Sequence, residues 1–155
     1  MIVLVMGVAG VGKTTIGAAL AQALDARFLD ADDFHPPENV AKMKAGVPLQ
    51  DADRLPWLQK LNSVLRGESK AVLACSALKK SYRQRLAEGV PAFRIVYLHG
   101  TAELIRERMK TRNHRYMPPA LLDSQFATLE PPAEAIAIDV AATLDESVAA
   151  ILARL

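Results

Sequence analysis

Residues 6–15, MGVAGVGKTT, constrain this chain more than any other stretch. The run before it, IVLVM (2–6), is apolar and β-rich throughout, the pattern of a strand buried on both faces of a parallel sheet. Gly7, Gly10 and Gly12 then remove side chains where the chain leaves that strand. A purely structural turn would not require that conformational cost three times. Gly7, Gly12, Lys13 and Thr14 fit G-x-x-x-x-G-K-[ST]. In this pattern the backbone of residues Gly7, Val8, Ala9, Gly10, Val11, Gly12, Lys13, Thr14 and Thr15 wraps phosphates at the positive end of the following helix. Lys13 reaches the β/γ-phosphates and the Thr14 hydroxyl ligates Mg²⁺. A nucleoside triphosphate site is therefore predicted at the carboxyl end of the first strand.

The rest of the chain repeats strand and helix. TIGAALAQAL follows the loop with Ile16, Leu20, Ala23 and Leu24 at helical spacing, and RFLDADD (27–33) reads as a short strand ending in acids. AVLACS (71–76), FRIVYLHG (93–100) and AIAIDV (135–140) are further strands, the last preceding a helix with Val148, Ile151, Leu152 and Leu155 on one face. The expected fold is a three-layer α/β domain of the P-loop NTPase kind, with a five-stranded parallel sheet and the ligand at the carboxyl ends of the strands. Residues 34–69 form an insertion with helix signals near 37–46 and 54–66, long enough to be a substrate lobe. Residues 113–119, NHRYMPP, lack periodicity and read as a basic flap, or lid.

At 155 residues the chain is about one domain long, and 1–155 is expected to be a single domain. A net charge of +2 with 51% hydrophobic residues excludes a disordered tail and a protein built to coat nucleic acid. Cys75 is the sole cysteine, so no internal disulfide can form, and no apolar run is long enough for a membrane span or a signal peptide; a cytoplasmic location is expected. No N-K-x-D or D-x-x-G marks a GTPase, and the third strand ends in Cys75-Ser76 where a larger ATPase would place an acid. The acids stand instead at Asp30 and Asp32, where strand alternation would turn both carboxylates the same way, one toward metal and one toward an acceptor. A loop-start pair capping the next helix is the other reading, and it suits Asp33.

DADDFHP (30–36), NVAKM (39–43), LQDADRLPWL (49–58), CSALKKSYR (75–83) and SQFATLEPP (124–132) together resemble the gluconokinases of the shikimate-kinase-like group over essentially the whole chain. That resemblance implies ATP-dependent phosphorylation of the 6-hydroxyl of D-gluconate. It implies that Asp30 helps hold Mg²⁺ and that Asp32 orients or deprotonates the acceptor hydroxyl. His35, Lys42, Arg54, Lys79 and Arg83 become gluconate contacts, with the partner of the substrate carboxylate left open. Arg54 could instead pair with Asp51 or Asp53, His35 could cap a helix, and Trp57 and Cys75 read as core. Arg108 would lie against adenine, Pro131 in the base-binding loop, and Arg112 near the phosphates. The flap departs from the family's usual Gly-His-Phe-Met with His114-Arg115-Tyr116-Met117, so Arg115 stands where the family has a histidine; it is expected either to join Arg112 over the transferring phosphoryl group or to be a solvated flap arginine. Family members are commonly homodimers. A kinase of shikimate or of a nucleoside monophosphate, and a non-catalytic nucleotide-binding module, would share the same loop.

Overall fold

The computed structural model describes residues 1–111 and 121–155. Its strands are β1 (Ile2–Met6), β2 (Arg27–Asp30), β3 (Ala71–Ala74), β4 (Phe93–His99) and β5 (Ile136–Asp139). They form one parallel sheet in the order β2-β3-β1-β4-β5. The helices among the described residues are α1 (Lys13–Leu24), α2 (Pro37–Lys44), α3 (Asp51–Arg66), α4 (Lys80–Ala87), α5 (Ala102–Thr111), α6 (Leu121–Thr128) and α7 (Leu144–Arg154). Among the described residues no helix is long and apolar enough to cross a membrane.

All five β1 side chains are buried, as a central parallel strand requires. Their alternation divides them between two cores. Val3 and Val5 join Ile16, Leu20, Ile105, Leu122 and Ile151 beneath α1, α5, α6 and α7. Ile2, Leu4 and Met6 join Trp57, Leu61, Leu65, Tyr82 and Leu86 beneath α3 and α4. Each fully buried leucine contributes about 1.5–3 kcal/mol relative to exposure, so the central strand is the mechanical base of whatever its carboxyl end carries. Strand order reverses around β1, which opens a crevice there.

Local signals set the helix ends. Asp53 accepts the Gln50 N–H at 2.9 Å, so α3 begins at Asp51, three residues before the helix signal in the sequence. Thr143 and Glu146 exchange two such bonds at 3.2 Å to start α7.

Three sequence expectations need correction. β2 stops at Asp30, and Ala31–Phe34 is a 3-10 turn capped by Asp30, whose Oδ1 accepts the Asp32 N–H at 3.0 Å. Strand alternation therefore does not relate Asp30 to Asp32. On α1 the buried face is Ile16, Gly17, Leu20 and Ala21, with Ala23 exposed. Gly17 is pressed against Phe28, where a Cβ would meet the ring at 2.9 Å. On α7 the sheet takes Ser147 and Ile151, and Leu152 faces solvent.

Candidate active site

The loop after β1 is shaped by two glycines in particular. At Gly7, φ is +153° and a Cβ would stand 2.6 Å from the Leu98 carbonyl oxygen, so the first turn tolerates no side chain. Gly12 caps α1 at φ +90°. Val8 and Val11 are sunk in the core and anchor the loop from below. Ala9, Gly10, Gly12, Lys13, Thr14 and Thr15 line a cavity of about 380 Å³ at the carboxyl end of the sheet. Lys13 Nζ donates to the Val8 carbonyl at 3.0 Å, closing the loop on itself. Burial pulls its pKa below the usual lysine value, opposed by the negative charge of Asp32 and Asp30. The Ala9 N–H donates to Gln125 Oε1 at 2.7 Å, so α6 grips the loop from the far side.

Asp30, Asp32, His35, Arg54, Trp57 and Tyr82 line the same cavity. Thr14 Oγ1 donates to Asp30 Oδ2 at 3.3 Å, which places a hydroxyl and a carboxylate oxygen together beside the phosphate loop. Asp32 follows within the 3-10 turn, its Oδ1 3.8 Å from His35 Nε2. The His35 ring stacks on Trp57 at 4.0 Å and 15°. Burial, reinforced by Arg54, pushes its pKa down to about 4, so the ring is neutral near pH 7. Cys75 also lines the cavity, but burial pushes its thiol up to about 12, which leaves no thiolate for nucleophilic chemistry.

The cationic residues expected around an acid substrate separate sharply. Lys13 and Arg54 are the basic side chains among the described residues that line the cavity. Arg54 Nη1 donates to Tyr82 Oη at 3.0 Å and stands 3.8 Å from Asp51 Oδ1, with its guanidinium 5.3 Å from the Tyr82 ring centre. Lys79 sits outside, 3.5 Å from Asp51 and 5.6 Å from the same ring. Lys42 is turned away as well, donating to both Asp53 carboxylate oxygens at 2.9 Å. Arg83 is a brace: its buried guanidinium donates to the carbonyls of Ala77 (2.7 Å), Leu78 (3.2 Å) and Glu130 (2.8 Å). Of the four cations expected at the acceptor, the structure brings one, Arg54, to the cavity.

On the nucleotide side, Arg108 donates to the Val140 carbonyl beyond β5, and Pro131 is exposed in the segment entering β5; neither lines the cavity. Arg112, Arg115 and the flap 113–119 lie outside the described residues. Sequence reasoning missed Asn39, Tyr82 and Gln125. All three fall inside the motif stretches that carry the resemblance, yet an Asn, Tyr or Gln on an amphipathic helix has no pattern that sets it apart.

A phosphate loop at the switch point of a parallel sheet, sharing one cavity with an acid pair, defines a P-loop small-molecule kinase. A family model described as shikimate kinase matches residues 9–149. The thermosensitive gluconokinase of Escherichia coli K12 is 47% identical, over 83% of this chain and 71% of its own. A probable gluconokinase of Rattus norvegicus is 46% identical, over 99% of this chain and 97% of its own. The crystal structure of a gluconokinase from Sinorhizobium meliloti 1021 superposes with a TM-score of 0.90 at 44% identity, covering 97% of this chain and 89% of that one. The chain belongs to the gluconokinase family, within the wider shikimate kinase group.

Proposed function

We propose that this chain transfers the terminal phosphoryl group of ATP to the 6-hydroxyl of D-gluconate, giving 6-phosphogluconate and ADP. The observation that carries the reading is the polarity of the acceptor half of the cavity: one carboxylate (Asp32), one neutral imidazole (His35) and one guanidinium (Arg54). Such a set suits a polyhydroxylated monoanion. Arg54 takes the substrate carboxylate by its planar fork, and Tyr82 holds the guanidinium in place. Asp32 orients the attacking hydroxyl and receives its proton. Lys13 and the loop amides hold the transferring phosphoryl, so catalysis is mostly positioning and charge complementarity.

Thr14 and Asp30 offer hard oxygen donors side by side, the chemistry Mg²⁺ takes together with nucleotide phosphates and water. Bound there, Mg²⁺ would neutralise phosphate charge as the phosphoryl group moves. Residues 34–69, which carry α2 and α3, serve as the acceptor lobe of the single domain. The lone buried Cys75 suits a reducing, cytoplasmic setting.

An ADP-release assay across gluconate, glucose, shikimate and nucleoside monophosphates tests the reading. Gluconate should be turned over, and glucose, which brings no carboxylate to Arg54, should be a very poor substrate. Arg54→Ala should raise KM for gluconate tenfold or more and leave KM for ATP within twofold. Comparable kcat/KM for glucose and gluconate would refute recognition through the carboxylate.

A further inference from the structure

The buried residue of α2 is a polar one, Asn39, only 2% exposed. A carboxamide buried this deeply needs partners, and its Nδ2 has two: the Asp53 carbonyl at 2.9 Å and His35 Nδ1 at 3.2 Å. A carbonyl can only accept, so the atom touching Asp53 is the NH2 group. The same group therefore donates to His35 Nδ1, which must be unprotonated, and the ring proton sits on Nε2. Nothing in this arrangement leaves the ring free to turn. Its face lies on Trp57, whose Nε1 is itself pinned to the Ala31 carbonyl at 2.8 Å. Its side chain is 3% exposed, and Nε2 points toward Asp32.

We propose that Asn39 is a positioning residue of the acceptor site: it locks His35 in the Nε2–H tautomer, so that a neutral ring presents a hydrogen-bond donor beside Asp32. The inference rests on the reading of Asp32 as the group that receives the acceptor proton. The opposite tautomer would turn a lone pair toward a carboxylate. A charged imidazolium would pair with Asp32 and weaken it as a base. The charged groups facing the ring are Asp32 from its own segment and Arg54 from α3, while the Asp53 carboxylate is occupied by Lys42 and the Gln50 N–H. Asn39 thus supplies the element that distinguishes the two neutral forms.

Long-range ¹H–¹⁵N NMR on the full ¹⁵N-labelled chain, with His35 identified by its loss in His35→Gln, reads the tautomer directly. The wild type should show a protonated Nε2 and an unprotonated Nδ1, unchanged from pH 8 to pH 6. Asn39→Asp, whose carboxylate accepts, should draw the proton to Nδ1 and lower kcat/KM for gluconate about tenfold with KM for ATP within twofold. If that variant does not fold, Asn39→Ser, too short to reach the ring, should give mixed tautomers and the same selective loss. An Nδ1–H or charged ring in the wild type overturns the proposal, as does an altered tautomer with unaltered gluconate kinetics. The spectrum is recorded without substrate, so absent gluconate turnover in the wild type counts against the proposed function, and a wrong tautomer counts against this inference.

Discussion

Replacing Arg83 should unfold the chain more readily without weakening its grip on substrate. Arg83 is 6% exposed, and its guanidinium donates to three carbonyls that belong to two separate segments, 77–78 and 130. In Arg83→Ala the Leu78 carbonyl keeps a partner, because it also accepts the Glu130 N–H at 2.8 Å. The Ala77 and Glu130 carbonyls lose their Arg83 donors. The buried Ala77 carbonyl is stranded at a cost of about 1–3 kcal/mol, and the lost bond to the exposed Glu130 costs about 0.5–1.5 kcal/mol. Ala77 is also held at φ 44°, a left-handed conformation unfavourable for a residue with a Cβ, so loss of its anchor lets that turn relax. Releasing the buried charge gives part of this back, since burial already pulls the Arg83 pKa below its usual value. The net loss should be about 2–4 kcal/mol, a fall in melting temperature of roughly 4–16 °C for a chain of this size. Arg83→Lys keeps the charge but not the fork and should lose a smaller part. Urea denaturation and steady-state kinetics on both variants check this. Unchanged melting in Arg83→Lys together with a tenfold rise in KM for gluconate would show that Arg83 meets substrate and that the brace is misread.

Tyr82→Phe removes the hydroxyl that holds Arg54 and bonds Asp51, but keeps the ring beneath Arg54 and Lys79. KM for gluconate should rise about three- to tenfold with kcat within twofold, and an unchanged KM would show that Arg54 needs no such support. His35 titrates at about 4 in the fold against an ordinary 6.5, so between those pH values the unfolded chain binds more protons and stability rises with pH. The urea midpoint should therefore fall on going from pH 7 to pH 5, and by less in His35→Gln; equal falls in both would place the effect elsewhere.

The phosphate loop was legible because everything it needs is local. A buried strand, glycines and a helix start follow one another within 24 residues, and each obeys its own short-range rule. The acid pair was found through the right residues and the wrong geometry: Asp30 and Asp32 both reach the cavity, but a capped 3-10 turn relates them where strand alternation was expected. Arg54 could not be told from Lys42, Lys79 and Arg83 by type or motif, since all four sit in the stretches that carry the family resemblance.

By itself, then, the sequence determined the fold class, the phosphate loop and the family, since those depend on period, glycine placement and contiguous motifs. Tertiary structure alone decided which charged groups line the cavity. Lys42 is claimed by Asp53, eleven residues away, Arg83 by a carbonyl 47 residues away, and the Ala9 amide by Gln125, 116 residues away. A long cationic side chain goes wherever the folded chain offers an acceptor at hydrogen-bond distance. That choice is made by the packing of α2, α3 and α4 over the sheet, and no local pattern in the sequence encodes it.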